Sequence, residues 1–308
     1  MKRITGVLGA IALGALWPAT PLLAQEPSQP VEAQEDAESS IIVTEDRQRP
    51  TRSEVSRQAR DISSSTGNIY DQPLARIEDR LCPGVIGLKQ RSAELMVDRI
   101  RWNAERLDMT LAPNGNCTPN LIVAFIEDGK AQLAELEREH GHLFSTMPLA
   151  ERRALLEEDG PVRVWTTAVM RTRDGMPVPR AESLHSPPVV SMWMAHSKIY
   201  LPVREDIAQV VVLFDREGVR GKTVIQLADY ATMRGFAQTR PPRSNAPLDT
   251  ILALFDPDSD GPTGLTEFDQ AYLRSVYDSI PNLPAASKLL GVNRQLSRME
   301  KEREKAAE

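Results

Sequence analysis

The acidic stretch Asp256-Pro-Asp-Ser-Asp-Gly261, with Glu267 at its twelfth position, has the spacing of an EF-hand calcium loop. Calcium takes hard oxygen ligands. Asp256, Asp258, Asp260 and Glu267 would supply them at positions one, three, five and twelve, with the glycine of the sharp turn at six. Two features oppose this reading. Pro262 drives the residue before it towards extended geometry, and position eight is Thr263, with no second loop of this kind in the sequence. The alternative is a solvated acidic loop. A different chemistry uses carboxylates as general acid and base, and Asp229 and Glu267 are the candidates for such a pair. His140, His142, His185 and His196 are further candidate bases, but no motif joins any of them to a serine or cysteine nucleophile. His140 and His142 read as cations near the end of a helix.

Helices and strands must position these groups. The run Leu121-Ile-Val-Ala-Phe-Ile126 reads as a buried strand, and Pro161 to Met170 as another that turns at Asp174-Gly175. Val189 to Ala195, Lys198 to Pro202 and Val210 to Phe214 are further strand candidates. Ala93, Met96, Val97, Ile100, Ala104 and Leu107 recur at helical spacing, which predicts a helix over 90–107. Helices are also expected over 129–140, 149–157 and 222–234, and again from Leu265. Leu81 to Leu88 reads as a tethered turn. This order predicts α+β architecture, not an alternating βαβ sheet.

The sequence from Val210 to Tyr277 looks like the catalytic half of a zincin metallopeptidase. A zincin holds zinc with two histidines one helical turn apart, and the glutamate beside the first is its general base. Aligned on the helix after Val210–Phe214, taken as an edge strand, Ile225, Gln226, Leu227, Ala228 and Asp229 fall on that pentapeptide. Ile225 offers no lone pair, and Gln226 keeps the shape of glutamate but accepts no proton near neutral pH. One carboxylate, Asp229, does not make a zinc site. Leu265, Thr266 and Asp269 match the opening of the final zincin helix, and Val276-Tyr277 its close. The chain is thus similar to exported alphaproteobacterial proteins that carry this degenerate half, here residues 190–283. The resemblance implies a zincin-like fold with a mixed, mostly antiparallel sheet, flanking helices and no zinc. Read by themselves, the same residues are a capping box at Thr266–Asp269 and the apolar faces of two helices.

Of the 308 residues, 41% are hydrophobic and 26% charged, ordinary for a globular protein. The formal charge of -6 and the lack of a dominant basic patch argue against nucleic acid as a partner. Lys2, Arg3 and the apolar run Ile4–Leu16, ahead of Pro18, Pro21 and Ala24, read as a secretory signal cleaved before Gln25. Export predicts a periplasmic or secreted protein in which the two cysteines, Cys82 and Cys117, pair; free thiols are the alternative. Residues 25–66 read as a disordered linker, with one apolar island. That island, Ile41, Ile42, Val43 and Thr44, resembles the TonB box of outer-membrane receptors, in which an extended segment adds a strand to a partner sheet. A chance apolar cluster in a polar tail is the alternative. A single domain is expected over 67–292, then a charged helix or tail over 293–308.

The expected function is a non-catalytic periplasmic binding or assembly protein on a pseudo-metallopeptidase fold, with a cell-envelope protein or peptide as partner and no cofactor. The alternatives are a hydrolase using Asp229, Glu267 or an unrecognised site, and a module stabilised by calcium at Asp256, Asp258, Asp260 and Glu267.

Overall fold

The computed structural model describes residues 50–64, 67–145, 147, 149–158, 160–179, 185, 189, 196–243, 247–257 and 261–307. The leader, the island Ile41 to Thr44, all but Val189 of the strand expected over Val189 to Ala195, and Asp258 and Asp260 lie outside the described residues. The described residues fall in one compact unit.

Helix α1, Arg52–Ile62, overturns the linker expected over its length. A Thr51–Glu54 capping box opens it. Val55, Ala59 and Ile62 then fall on one face and are buried, a stripe hidden by the polar residues between them. Gln58 fixes its position by accepting from the Leu248 amide and donating to the Leu248 carbonyl, both at 2.8 Å.

The remaining order is β1 (Pro83–Ile86), α2 (Gln90–Glu105), β2 (Leu121–Ile126), α3 (Gly129–His140), α4 (Leu149–Glu157), β3 (Val162–Thr172), β4 (Val203–Asp215), α5 (Val224–Phe236), α6 (Glu267–Tyr277) and α7 (Ala285–Ala307). Among the described residues the four strands make one sheet in the order β1-β2-β4-β3. The fold is therefore α+β with a mixed sheet flanked by helices. It is not mostly antiparallel, because β1 and β4 both run parallel to β2, and only β3 opposes its neighbour β4. The β1–β2 pair needs a crossover, and α2 supplies it. β4 is an inner strand, bonded on both sides, not the expected edge. Residues 198–202 are bends that lead into it.

The main core packs α2, α5 and α6 against the sheet around Phe125, Val212, Phe214, Tyr230 and Tyr272. On β3, Val162 and Val164 join that core, whereas Trp165 packs with Leu133, Phe144 and Leu155 of a smaller cluster. Successive strand residues point to opposite faces, so α3 and α4 cover the reverse side of β3. Cys82, just before β1, is bonded to Cys117, just before β2. The bridge ties the two ends of the α2 crossover. Asn120 reinforces it by accepting from the Cys82 amide at 2.8 Å. Among the described residues no helix is long and apolar enough to cross a membrane.

The charged C-terminal segment is helical from Ala285 to Ala307, and its first turns are core. Lys288 there is 1% exposed, and its ammonium donates to the Pro281 carbonyl at 3.0 Å. Burial, with the Arg76 guanidinium nearby and Glu78 opposing it, pulls its pKa down to about 7. The unfolded chain then binds the extra proton between pH 7 and the ordinary lysine value of 10.5, so this group makes the fold more stable as pH rises across that window. We expect Lys288→Met to raise the melting temperature at pH 7 by roughly 2–4 °C per kcal/mol regained. It should also flatten the rise in stability between pH 7 and 10, as urea melts at stepped pH would show.

Candidate functional site

Helix α5 carries the aligned pentapeptide. Thr223 caps it, its hydroxyl accepting from the Gln226 amide N–H at 3.2 Å, while the Gln226 carboxamide oxygen accepts from the Thr223 N–H at 2.9 Å. The other end of the Gln226 side chain donates to the Pro262 carbonyl at 2.8 Å. Gln226 is thereby used twice as a structural clamp. Ile225 is half-buried.

Asp229 lies one turn further on and is wholly buried. Its Oδ1 accepts from Arg99 Nε and Asn103 Nδ2, each at 2.7 Å. Its Oδ2 accepts from Arg99 Nη2 at 2.7 Å and from the Leu265 amide at 2.9 Å. Four donors from α2 and from the segment before α6 thus saturate one carboxylate on α5. Gly264 makes the last bond possible, because a Cβ there would stand 2.7 Å from Asp229 Oδ2. The bidentate arginine holds the charge in a place where an unpaired carboxylate would be costly.

Glu267 does not converge with Asp229. It opens α6, and both its oxygens accept from the Arg303 guanidinium of α7, the longer contact at 3.1 Å. The carboxylate buried in α6 is instead Asp269. It accepts from the Thr250 hydroxyl at 2.6 Å, the Ile251 amide at 2.7 Å and the Thr266 amide at 3.0 Å. Burial pushes its pKa up to about 6 against the pull of those donors. The capping box expected at Thr266–Asp269 is present, and it also anchors the turn that follows Thr250.

Ahead of the acidic loop, Ile251–Ala253 forms a short 3-10 turn. Gly261 is left-handed, with φ +70°. This corrects the extended geometry expected before Pro262, and the reason is that glycine lacks the Cβ that would clash there. Among the described residues no three His, Cys, Asp or Glu side chains gather as metal ligands. His140 and His142 lie edge to face at the end of α3.

A cleft of about 80 Å³ opens between α2 and α6 beside Asp229. No motif announced it. Arg99, Trp102, Asn103 and Arg106 recur at i, i+3, i+4 and i+7 and form the α2 face that borders it, with Gln270, Leu273 and Arg274 opposite. Trp102 is 42% exposed, and the guanidinium carbons of Arg99 and Arg106 stand 4.3 and 4.6 Å from its ring. That basic and aromatic stripe was present in the sequence between the apolar and acidic faces of the same helix.

No family model matches the chain, and comparison with curated proteins and with solved structures found nothing similar. The residues themselves carry the functional argument. Gln226 and Asp229 are locked in hydrogen bonds, and Glu267 faces another helix.

Proposed function

We propose that this chain is a non-catalytic binding or assembly protein of the cell envelope, on a zincin-like framework whose metal site has degenerated. One observation carries the proposal: Asp229, the only acidic side chain on the aligned pentapeptide, is fully buried with four donors on its two oxygens. A general base needs a free lone pair within reach of substrate, and Asp229 offers none. Gln226 is likewise committed to Thr223 and Pro262. The order of elements supports the framework: an antiparallel edge strand, β3, returns as the inner strand β4, which leads into α5. The Cys82–Cys117 bridge is compatible with an exported protein. Partner recognition through Ile41–Thr44 by TonB belongs to the same reading. A second reading, calcium stabilisation, gains from the left-handed Gly261 at the loop position where the sharp turn is required. It requires Glu267 to leave Arg303.

Native mass spectrometry of the exported protein, before and after chelation, tests both. The expected mass is metal-free and unchanged by chelation. A retained zinc ion would contradict the proposal, and a retained calcium ion would favour the second reading.

A further inference from the structure

We propose that the α2–α6 cleft binds the C-terminal residue of a peptide, taking its free carboxylate on Arg106 and Arg274. The inference does not rest on the zincin-like reading, only on the groups that line the cleft.

Asn103 is 3% exposed and lines the cleft. Its amide nitrogen donates to Asp229 Oδ1 and to the Thr232 hydroxyl, the latter at 3.0 Å. Since the carboxylate can only accept, the amide cannot flip, and Oδ1 is the end left over. That oxygen is buried and has no partner. A buried acceptor left unpaired is costly, so a ligand that brings an N–H gains by filling it.

The other walls are cationic and apolar. Arg99 has committed Nε and Nη2 to Asp229. Arg106 pairs with no carboxylate among the described residues; its hydrogen bond is to Gln270 Oε1 at 3.3 Å. Arg274 reaches Glu302 only at 3.9 Å. Arg106 is therefore available to an anion, and Arg274 once it gives up its long pair with Glu302, in a cleft also lined by the apolar Leu107, Leu265 and Leu273. A guanidinium fork matches a carboxylate in a bidentate geometry.

A ligand suited to these walls carries an N–H donor and a carboxylate close together, with a small apolar group between. The last residue of a peptide has all three, its own N–H, side chain and terminal carboxylate. A whole ligand of drug size needs roughly 300–1,000 Å³, so a cleft of about 80 Å³ takes one end of a longer molecule. It also favours a small final side chain. The exposed indole of Trp102, flanked by two arginines, provides a flat surface for the residue before it.

The test is isothermal titration calorimetry of the disulfide-bonded mature protein. The probes are acetyl-Leu-Ala-X tripeptides with X as Gly, Ala, Ser or Trp, each as the free acid and as the C-terminal amide, with sodium acetate as a simple anion. Free acids with small X are expected to bind, and amidation, Arg106→Gln or Arg274→Gln should each weaken them about tenfold or more, as loss of a charge-assisted bond implies. Arg106→Gln should melt with the parent protein, because Arg106 is exposed. Trp102→Ala should weaken the tripeptides but leave acetate unaffected. Equal binding of acid and amide overturns the proposal, as does no binding by any free acid at millimolar concentration. Acetate binding as tightly as the tripeptides also overturns it and marks a simple anion site.

Discussion

Asp229→Ala lowers the stability of the fold by about 3–5 kcal/mol, the usual cost of removing one partner from a buried charge pair. The loss arises because three groups placed to meet that carboxylate are left without it. Arg99, with 23% of its side chain exposed, loses its bidentate partner, Asn103 loses an acceptor, and the Leu265 amide is stranded. These groups belong to α2 and to the segment entering α6, so the damage spreads to the packing of both on α5. For a domain of this size the melting temperature should fall by roughly 10 °C. Asp229→Asn should recover only part of this, because the amide nitrogen, in place of either oxygen, would face two donors. A hydrolase that used Asp229 as its base would behave differently, losing activity with stability unchanged.

Reduction of Cys82–Cys117 should cost nearly as much. The cysteines are 35 positions apart, and closing a loop of that length stabilises a fold by about 4 kcal/mol in the chain-entropy model. The loop contains β1 and α2, the helix that carries both Arg99 and Asn103. The paired variant Cys82→Ser/Cys117→Ser should therefore melt about 10 °C lower than the oxidised protein. Its melting should also be indifferent to added reductant, whereas the parent protein's should not. Identical melting of reduced and oxidised parent protein would show that other contacts already hold the crossover.

Much of the fold was legible from local pattern. The limits of β2, α3 and α4 follow from an unbroken apolar run and from helical periodicity, which are local properties. What escaped was non-local. β1 is only Pro83–Ile86 and reads as a turn, since proline and glycine open it, yet pairing with β2 makes it a strand. Missing it left the parallel half of the sheet unseen. α1 was hidden by composition, because its buried positions are separated by charged and polar residues whose side chains face water. In the candidate site, the caps at Thr223 and Thr266 could be read from residue spacing alone. The partners of Asp229 could not, because Arg99 and Asn103 stand 130 and 126 positions away and meet it only through α2–α5 packing.

A double-mutant cycle between Arg99 and Asp229, read by urea unfolding of the oxidised protein, tests the central claim most directly. If the helix that resembles a metal-binding helix is held by a structural ion pair, Arg99→Ala, Asp229→Ala and the double variant should yield a coupling of about 2 kcal/mol or more, within the 0.5–3 kcal/mol seen for contacting residues. Single effects that simply add, with coupling below about 0.5 kcal/mol, would contradict it and return Asp229 to the list of groups free to do chemistry.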